Sequence, residues 1–133
     1  MRYQAGRYQI GRYLMGLATV AAVALAAGTA RADGDPALGK TAFNKCAACH
    51  SAKEGENKIG PSLHGVVGRP SHSIEGFSYS EPMKNYNVTW DLATLDHYLT
   101  DPRGVVPGTK MIFVGLKKDD ERANVIAYLE TLK

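Results

Sequence analysis

The chain has 133 residues and two cysteines, which is the length of a single domain. Its formal net charge of +3 comes from its beginning, because residues 1–32 hold four of the 16 Lys and Arg residues and none of the 13 Asp and Glu residues. The remaining 12 cations and 13 acids give residues 33–133 a formal charge of −1, which leaves no basic surface of the kind that binds nucleic acid.

Residues 1–32 have the pattern of a secretory signal peptide. Three arginines and no acid precede residue 14, an apolar stretch covers residues 14–27, and Ala30-Arg31-Ala32 fits the small-x-small cleavage motif. The apolar stretch is shorter than the roughly 20 residues that a membrane-spanning helix needs. We therefore expect cleavage after Ala32 and export of residues 33–133 to the periplasm, with an uncleaved membrane anchor as the alternative.

The exported domain is predicted to begin with a short helix. Asp35 is a good N-cap, and Pro36 suits the first helical position. Leu38, Ala42 and Cys46 follow at intervals of four residues. This spacing predicts an apolar helix face that continues to Cys46.

A long loop and a second helix are predicted next. Residues 51–88 lack apolar periodicity and contain frequent glycine and proline, which predicts a loop of 38 residues. A helix should follow, with Thr89 as its N-cap and an end before Asp101-Pro102. Three leucines form its apolar face: Leu92, Leu95 and Leu99.

The chain is predicted to end with another loop and a last helix. The loop covers residues 104–115, and the acids at residues 119–121 suit the positive N-terminus of the helix. Short helices without a convincing strand predict an all-α fold. A 38-residue loop is unusual in so small a domain, which indicates that something other than side chains fills the core. The apolar face of the last helix consists of Val125, Ile126, Leu129 and Leu132.

The pentapeptide Cys-Ala-Ala-Cys-His at residues 46–50 is compatible with three kinds of chemistry. A dithiol oxidoreductase places such a pair after a strand in a βαβ unit, whereas the flanking pattern here is helical. A structural zinc site needs four ligands, and the chain has one cysteine pair and no histidine pair at zinc-finger spacing. A histidine directly after the second cysteine is typical of covalent c-type haem attachment, which also fits export and the long loops.

The sequence offers two candidates for a sulfur ligand on the other face of a haem iron. Outside the signal peptide, Met83 and Met111 are the methionines of the chain. Met111 lies in a loop shaped by Pro107 and Gly108, but a buried methionine is usually a filler of the core. The residues alone leave the sixth ligand open.

Six segments, in order along the chain, resemble class I c-type cytochromes, the group of mitochondrial and bacterial cytochromes c. They are CAACH, IGPSLHGVVGR (59–69), FSYS (77–80), VTW (88–90), HYLTDPRGVVPGTKMIF (97–113) and VIAYL (125–129). The resemblance covers nearly all of residues 37–132. It implies the cytochrome c fold, in which short helices and long loops surround one covalent haem c.

The resemblance also implies roles for individual residues. Cys46 and Cys49 would form the thioether bonds, and His50 and Met111 would be the axial ligands of the iron. The supporting residues would be Pro61, whose carbonyl accepts a hydrogen bond from His50; Arg69, Tyr79 and Trp90 near the haem propionates; Tyr98 and Thr109 near Met111; and Phe113 at the haem edge. Met83 stands where many relatives carry an asparagine in a buried polar network. We expect surface positions for His64, His72 and His97.

The implied function is that of a monomeric single-electron carrier, not an enzyme. Its donor would be a quinol-oxidising cytochrome complex, and its acceptor a terminal oxidase, a peroxidase or a photosynthetic reaction centre. Four lysines would surround the haem edge and attract an acidic partner. They are Lys45, Lys110, Lys117 and Lys118. The alternative is a haem enzyme or gas sensor with an open sixth position on the iron.

Overall fold

The fold is given by a computed structural model that describes residues 33–133, so the predicted signal peptide lies outside the described residues. Within that range there is no strand, and the only extended pairing is a single antiparallel bridge between Pro70 and Thr89. None of the described helices has the length and apolar character needed to cross a membrane. The helices are α1 (Pro36–Ala42), α2 (Asn44–Ala47), α3 (Glu81–Asn85), α4 (Leu92–Thr100), α5 (Pro102–Val105) and α6 (Asp119–Glu130).

The capping residues explain where the first and fourth helices begin. The Asp35 carboxylate accepts hydrogen bonds from two backbone N–H groups at the start of α1, as predicted. The cap of α4 is Asp91, which accepts from the Thr94 N–H at 2.7 Å. The prediction of Thr89 as this cap was wrong, because the backbone of Thr89 is extended in its bridge to Pro70.

Helices α1 and α6 cross in close contact at a glycine. A β-carbon at Gly39 would lie 1.9 Å from the carbonyl oxygen of Asn124, so only glycine fits there. Next to it, the rings of Phe43 and Tyr128 meet edge to face with centroids 5.2 Å apart. Leu38, predicted to lie on the buried face, is 58 % exposed. The apolar spacing was misleading because a glycine at a helix crossing carries no hydrophobic signal.

Three features of the predicted loops and helices differ from the structure. The predicted 51–88 loop contains α3, which is capped by the Ser80 hydroxyl, and the second loop overlaps α5. The first helix breaks at Phe43 and resumes as α2. These short elements escape sequence analysis because a helix of four or five residues is too short to show a 3.6-residue period.

Helices α4 and α6 form one wall of an internal cavity. Leu95 and Leu99 of α4 and Val125 and Leu129 of α6 are all buried and all line it. The loops between the helices supply the rest of the lining. The apolar faces predicted for these two helices therefore line the cavity in which the site lies.

Candidate functional site

The main cavity has a volume of about 410 Å³ and a largely apolar lining. This volume falls within the roughly 300–1,000 Å³ of typical small-molecule and cofactor sites. The cavity brings together every residue to which the resemblance gives a role in binding. They are Cys46, Cys49, His50, Pro61, Arg69, Tyr79, Trp90, Tyr98, Thr109 and Met111, together with Phe113.

The Cys-Ala-Ala-Cys-His segment forms a tight turn at the end of α2. The N–H groups of Cys49 and His50 both donate to the carbonyl of Cys46, at 3.0 and 2.9 Å. Both thiols lie at the cavity wall, one half-buried and one exposed. Burial raises the pKa of Cys46 to about 11, so its thiol is protonated at neutral pH, unlike the reactive thiolate of a dithiol oxidoreductase.

The imidazole of His50 is held in one orientation. Its Nδ1–H donates to the Pro61 carbonyl at 2.7 Å, which leaves Nε2 with a free electron pair. Burial lowers the pKa of His50, and the nearby Lys58 charge lowers it further, although the bond to Pro61 opposes them. A β-carbon at Gly60 would lie 2.3 Å from Cε1 of the ring. The site therefore presents a neutral imidazole with one available nitrogen.

Met111 lies in a loop on the cavity wall and is held by two neighbouring hydroxyl groups. The Tyr98 hydroxyl donates to the Met111 sulfur at 3.3 Å, and the Met111 N–H donates to the Thr109 hydroxyl at 3.3 Å. Burial raises the pKa of Tyr98 to about 12, so its phenol keeps its proton for this contact. The turn before Met111 depends on Gly108, whose φ is +83°.

A second thioether lines the same cavity. Met83 on α3 is 9 % exposed, and its N–H donates to the Ser80 hydroxyl. The cavity lining therefore contains two thioether sulfur atoms. Met83 is buried and packs in the core. Met111 differs from Met83 in having a hydroxyl donor on its sulfur.

Arg69, Tyr79 and Trp90 lie together along one part of the cavity wall. The Arg69 guanidinium donates to the carbonyls of His64 and Ser62 at 2.7 and 3.0 Å, and burial lowers its pKa. Trp90 is buried and packs against Tyr98 with ring centroids 4.9 Å apart. This group supplies the polar, cationic end of an otherwise apolar cavity.

Exposed residues of the cavity lining include Lys45, Ile59, Lys110 and Ile112, and we call these four residues the mouth. Ile59 and Ile112 are 81 % and 91 % exposed, which sequence analysis missed, although an isoleucine within a polar loop is a usable signal. Lys45 forms an ion pair with Glu121. Of the four lysines that were predicted to surround the haem edge, Lys45 and Lys110 line the cavity. The other two, Lys117 and Lys118, directly precede α6.

The three other histidines occupy different environments. His97 is exposed, as predicted. His64 and His72 are partly exposed, so both also reach the surface. His72 lines the cavity, and its Nε2–H donates to the Asn87 side-chain oxygen at 2.8 Å. Within residues 33–133, no three His, Cys, Asp or Glu side chains converge as metal ligands.

Comparison with known proteins agrees with this geometry. The family model for cytochrome c matches residues 36–133. The chain belongs to the cytochrome c family. Cytochrome c2 of Rhodoplanes tepidamans is 51 % identical over 96 residues, 71 % of this chain and 90 % of that protein. Cytochrome c-554 of Methylosinus trichosporium is 50 % identical over 103 residues, 77 % of this chain and 78 % of that protein.

A solved structure extends the likeness to the fold. Cytochrome cH from Methylobacterium extorquens superimposes with a TM-score of 0.69 at 42 % identity, over 74 % of this chain and 99 % of that one. Membership of the family confirms the predicted class, the all-α cytochrome c fold and one covalent haem c as the cofactor. It also confirms an electron carrier of respiratory or photosynthetic chains rather than an enzyme.

The residues around the cavity fit a haem c. Two thiols, separated by one helical turn, border an apolar space, and a neutral imidazole with a fixed ring lies beside them. Gly60 packs so closely on that ring that a side chain would displace it. A thioether lies in the lining of the same cavity with its own hydrogen-bond donor.

Proposed function

We propose that His50 and Met111 are the axial ligands of the haem iron, and that Cys46 and Cys49 form its two thioether bonds. The observation that carries this proposal is the convergence of these four side chains on one cavity. When bound, the haem supplies an Fe(III)/Fe(II) couple that accepts and releases one electron. If both side chains bound the iron, the protein itself would fill its open positions and exclude a substrate, which suits an electron carrier.

The chain's own contacts fix the two proposed ligands in different ways. On one side, the Pro61 carbonyl holds the proton of His50 at Nδ1 and so reserves Nε2 for the iron. On the other side, the Tyr98 hydroxyl orients the sulfur of Met111 and withdraws electron density from it. A thioether ligand favours ferrous iron, and burial adds to this, so together they raise the reduction potential.

Apolar side chains cover part of the cavity wall. Leu99 and Met83 are buried in the wall, and Phe113 is half-buried. Such a wall would limit changes in solvation around a bound haem when it gains or loses an electron.

An absorption spectrum tests the ligand assignment directly. The oxidised protein should show the weak band at the red end of the visible spectrum that is typical of methionine bound to ferric haem. Intact-mass spectrometry should show one covalently bound haem on a chain that begins at Asp33. A five-coordinate ferric spectrum, or a mass without haem, would contradict the assignment.

We also propose the partners and the compartment. The protein would work as a periplasmic monomer that takes electrons from a quinol-oxidising cytochrome complex. It would pass them to a terminal oxidase, a peroxidase or a photosynthetic reaction centre. The support is the composition of the mouth, which combines two exposed isoleucines with Lys110 and so suits an acidic partner with an apolar centre.

Charge reversal at the mouth tests this docking surface. Lys110→Glu should slow bimolecular electron transfer and weaken its dependence on ionic strength, because local charge sets the association rate. Lys53→Glu is the matched control, since Lys53 is exposed and lies outside the cavity lining. Stopped-flow kinetics with a purified partner complex would measure both. Equal slowing by the two variants would mean that the mouth is not the docking surface.

A further inference from the structure

Arg122 is the one buried side chain among the Lys, Arg, Asp and Glu residues of positions 33–133, with an exposure of 6 %. Its Nε donates to Asp96 on α4 at 2.6 Å, and one terminal nitrogen donates to Asp119 at 2.8 Å. The other terminal nitrogen donates to the carbonyl of Leu116 at 2.9 Å. Burying a guanidinium is costly unless all its donors are satisfied, and here all three nitrogens have partners.

The bond to Leu116 sets Arg122 apart from an ordinary link between two helices. An α4–α6 link would need only the bond to Asp96. Leu116 belongs to neither helix and lies at the end of the loop that carries Met111. Its N–H also donates to the Leu99 carbonyl at 2.7 Å, and its side chain is 2 % exposed. Both the N–H and the carbonyl of Leu116 are therefore held.

Helix α4 contacts this loop at two points, five residues apart, and beside the second point the Lys117 ammonium also donates to the Thr100 carbonyl at 2.7 Å. The first is the Tyr98 hydroxyl on the sulfur of Met111, and the second is the Leu99 carbonyl on Leu116. Next to the second point, Gly115 has a φ of +90°, and a β-carbon there would lie 2.2 Å from the Thr100 carbonyl oxygen. The loop is thus pressed against the C-terminal end of α4.

Between these two points the loop has little support of its own. Within the described part of the chain, residues 112–114 make no backbone–backbone hydrogen bond. Ile112 and Val114 are 91 % and 76 % exposed. Phe113 packs against the core, so the position of the intervening segment depends on this one side chain and on the two ends of the segment. Arg122 is one of the groups that secure the end at Leu116.

We propose that Arg122 is a positioning residue for Met111: by binding Asp96 and the Leu116 carbonyl together, it holds the loop against α4 and keeps the sulfur at the iron. The proposal rests on the ligand role proposed above for Met111. Arg122 itself lies outside the cavity lining and acts through Leu116.

Arg122→Lys tests the proposal, because lysine keeps the charge but carries its donors on a single nitrogen, which cannot reproduce the three separate contacts of the planar guanidinium. Cyanide association with the ferric protein should accelerate by about ten- to a hundredfold, the range expected for loss of a hydrogen bond to a charged group. The methionine–iron absorption band should weaken, and hydrogen exchange at the Leu116 amide should accelerate. Haem attachment should be unchanged.

Phe43→Leu is the matched structural control. It weakens the α1–α6 contact with Tyr128 and leaves the loop contacts intact. Guanidinium unfolding of both variants gives the loss of global stability, against which the cyanide rates are compared. Faster cyanide entry in Arg122→Lys than in Phe43→Leu at equal stability loss supports the proposal. Equal rates at equal stability loss overturn it, because Arg122 would then act on global stability alone.

Asp96→Asn gives a second test if Arg122→Lys does not fold. It removes the α4 carboxylate that orients the guanidinium and leaves the Leu116 bond available. Cyanide entry and Leu116 exchange should change in the same direction by a smaller factor, and no change in either overturns the proposal. If the unmutated protein lacks the methionine–iron band, Met111 is not the ligand. That result contradicts the ligation proposed above rather than the contacts of Arg122.

Discussion

The two sides of the haem cavity are built in different ways. The His50 side is local: its turn is closed by hydrogen bonds between neighbouring residues, and Gly60 and Pro61, ten and eleven positions on, complete it. The Met111 side depends on contacts between distant elements, in which Tyr98 on α4 reaches the sulfur and Arg122 on α6 holds the end of the loop. The first side is a closed turn, and the second is a loop supported from outside.

This difference predicts that the two sides of the cavity respond differently to substitutions. A turn that is fixed by adjacent hydrogen bonds keeps its ligand as long as the turn itself survives. A loop held by a few side chains can open while the rest of the fold remains intact. The Met111 side should therefore be the side at which ligand exchange begins, and substitutions on the two sides should separate attachment of the haem from closure of the sixth position.

The largest effect is expected for Met111→Ala. The haem should stay attached, because the two cysteines and His50 are untouched, but the ferric protein should now bind cyanide. The reduction potential should fall by a large fraction of the roughly 0.8 V over which axial ligands tune haem proteins. Spectroelectrochemistry and cyanide titration measure both changes. An unchanged reduction potential would show that Met111 is not the ligand opposite His50.

Gly60→Ala tests the local side. The new β-carbon would lie 2.3 Å from Cε1 of His50, so the ring or the backbone must shift. Such overpacking costs about 1–3 kcal/mol, and we expect a lower yield of haem-loaded protein and a lower free energy of unfolding. Gly55→Ala is the control: it has open surroundings and adds backbone strain alone, because its φ is +69°. A control with an equal loss of haem loading would refute a specific role for the close packing on His50.

Tyr98→Phe should have a smaller effect, confined to the distal side. It removes one hydrogen bond to the Met111 sulfur, and such a bond is worth about 0.5–1.5 kcal/mol. The packing of the ring changes little. Cyanide should enter the ferric protein up to about tenfold faster. The potential should fall, because the sulfur becomes a better donor to ferric iron. Stopped-flow absorption and voltammetry measure the two changes, and a rise in potential would show that the contact does not act through the sulfur.

The smallest effect is expected for Met83→Leu, which keeps the volume and removes the second thioether. A volume-conserving change in the core costs less than about 1.5 kcal/mol. The methionine–iron band, the potential and the exclusion of cyanide should all remain. Loss of the band in this variant would show that Met83, on α3, supplies the sulfur.

The part of the site that could be predicted directly is the part that is contiguous in sequence. The spacing of Cys46, Cys49 and His50 is one helical turn and one further residue, so local geometry alone brings these groups together. The Asp35 cap and the apolar faces of α4 and α6 were also correct, since capping and periodicity are local properties. The choice of Met111 came from the family resemblance, because the residues by themselves left the sixth ligand open.

Several features were decided only by the packing of distant segments. Gly39 is needed because α6 crosses α1 at that point, and Leu38 is exposed for the same reason. Thr89 does not cap α4, because its backbone pairs with Pro70 across the long loop. Glycine has no hydrophobic signal, and a bridge between residues 19 positions apart leaves no periodic trace, so neither could be predicted from a sequence window.

The sequence by itself determined the covalent haem attachment and the helical class of this protein, because one helical turn sets the spacing of the thiols and periodicity marks the helices. The tertiary structure decided which contacts hold the loop that carries Met111. The hydroxyl of Tyr98, the carbonyl of Leu116 and the guanidinium of Arg122 come from separate segments of the chain. Only the close approach of α4 and α6, driven by the burial of their apolar faces, brings these three groups to one loop.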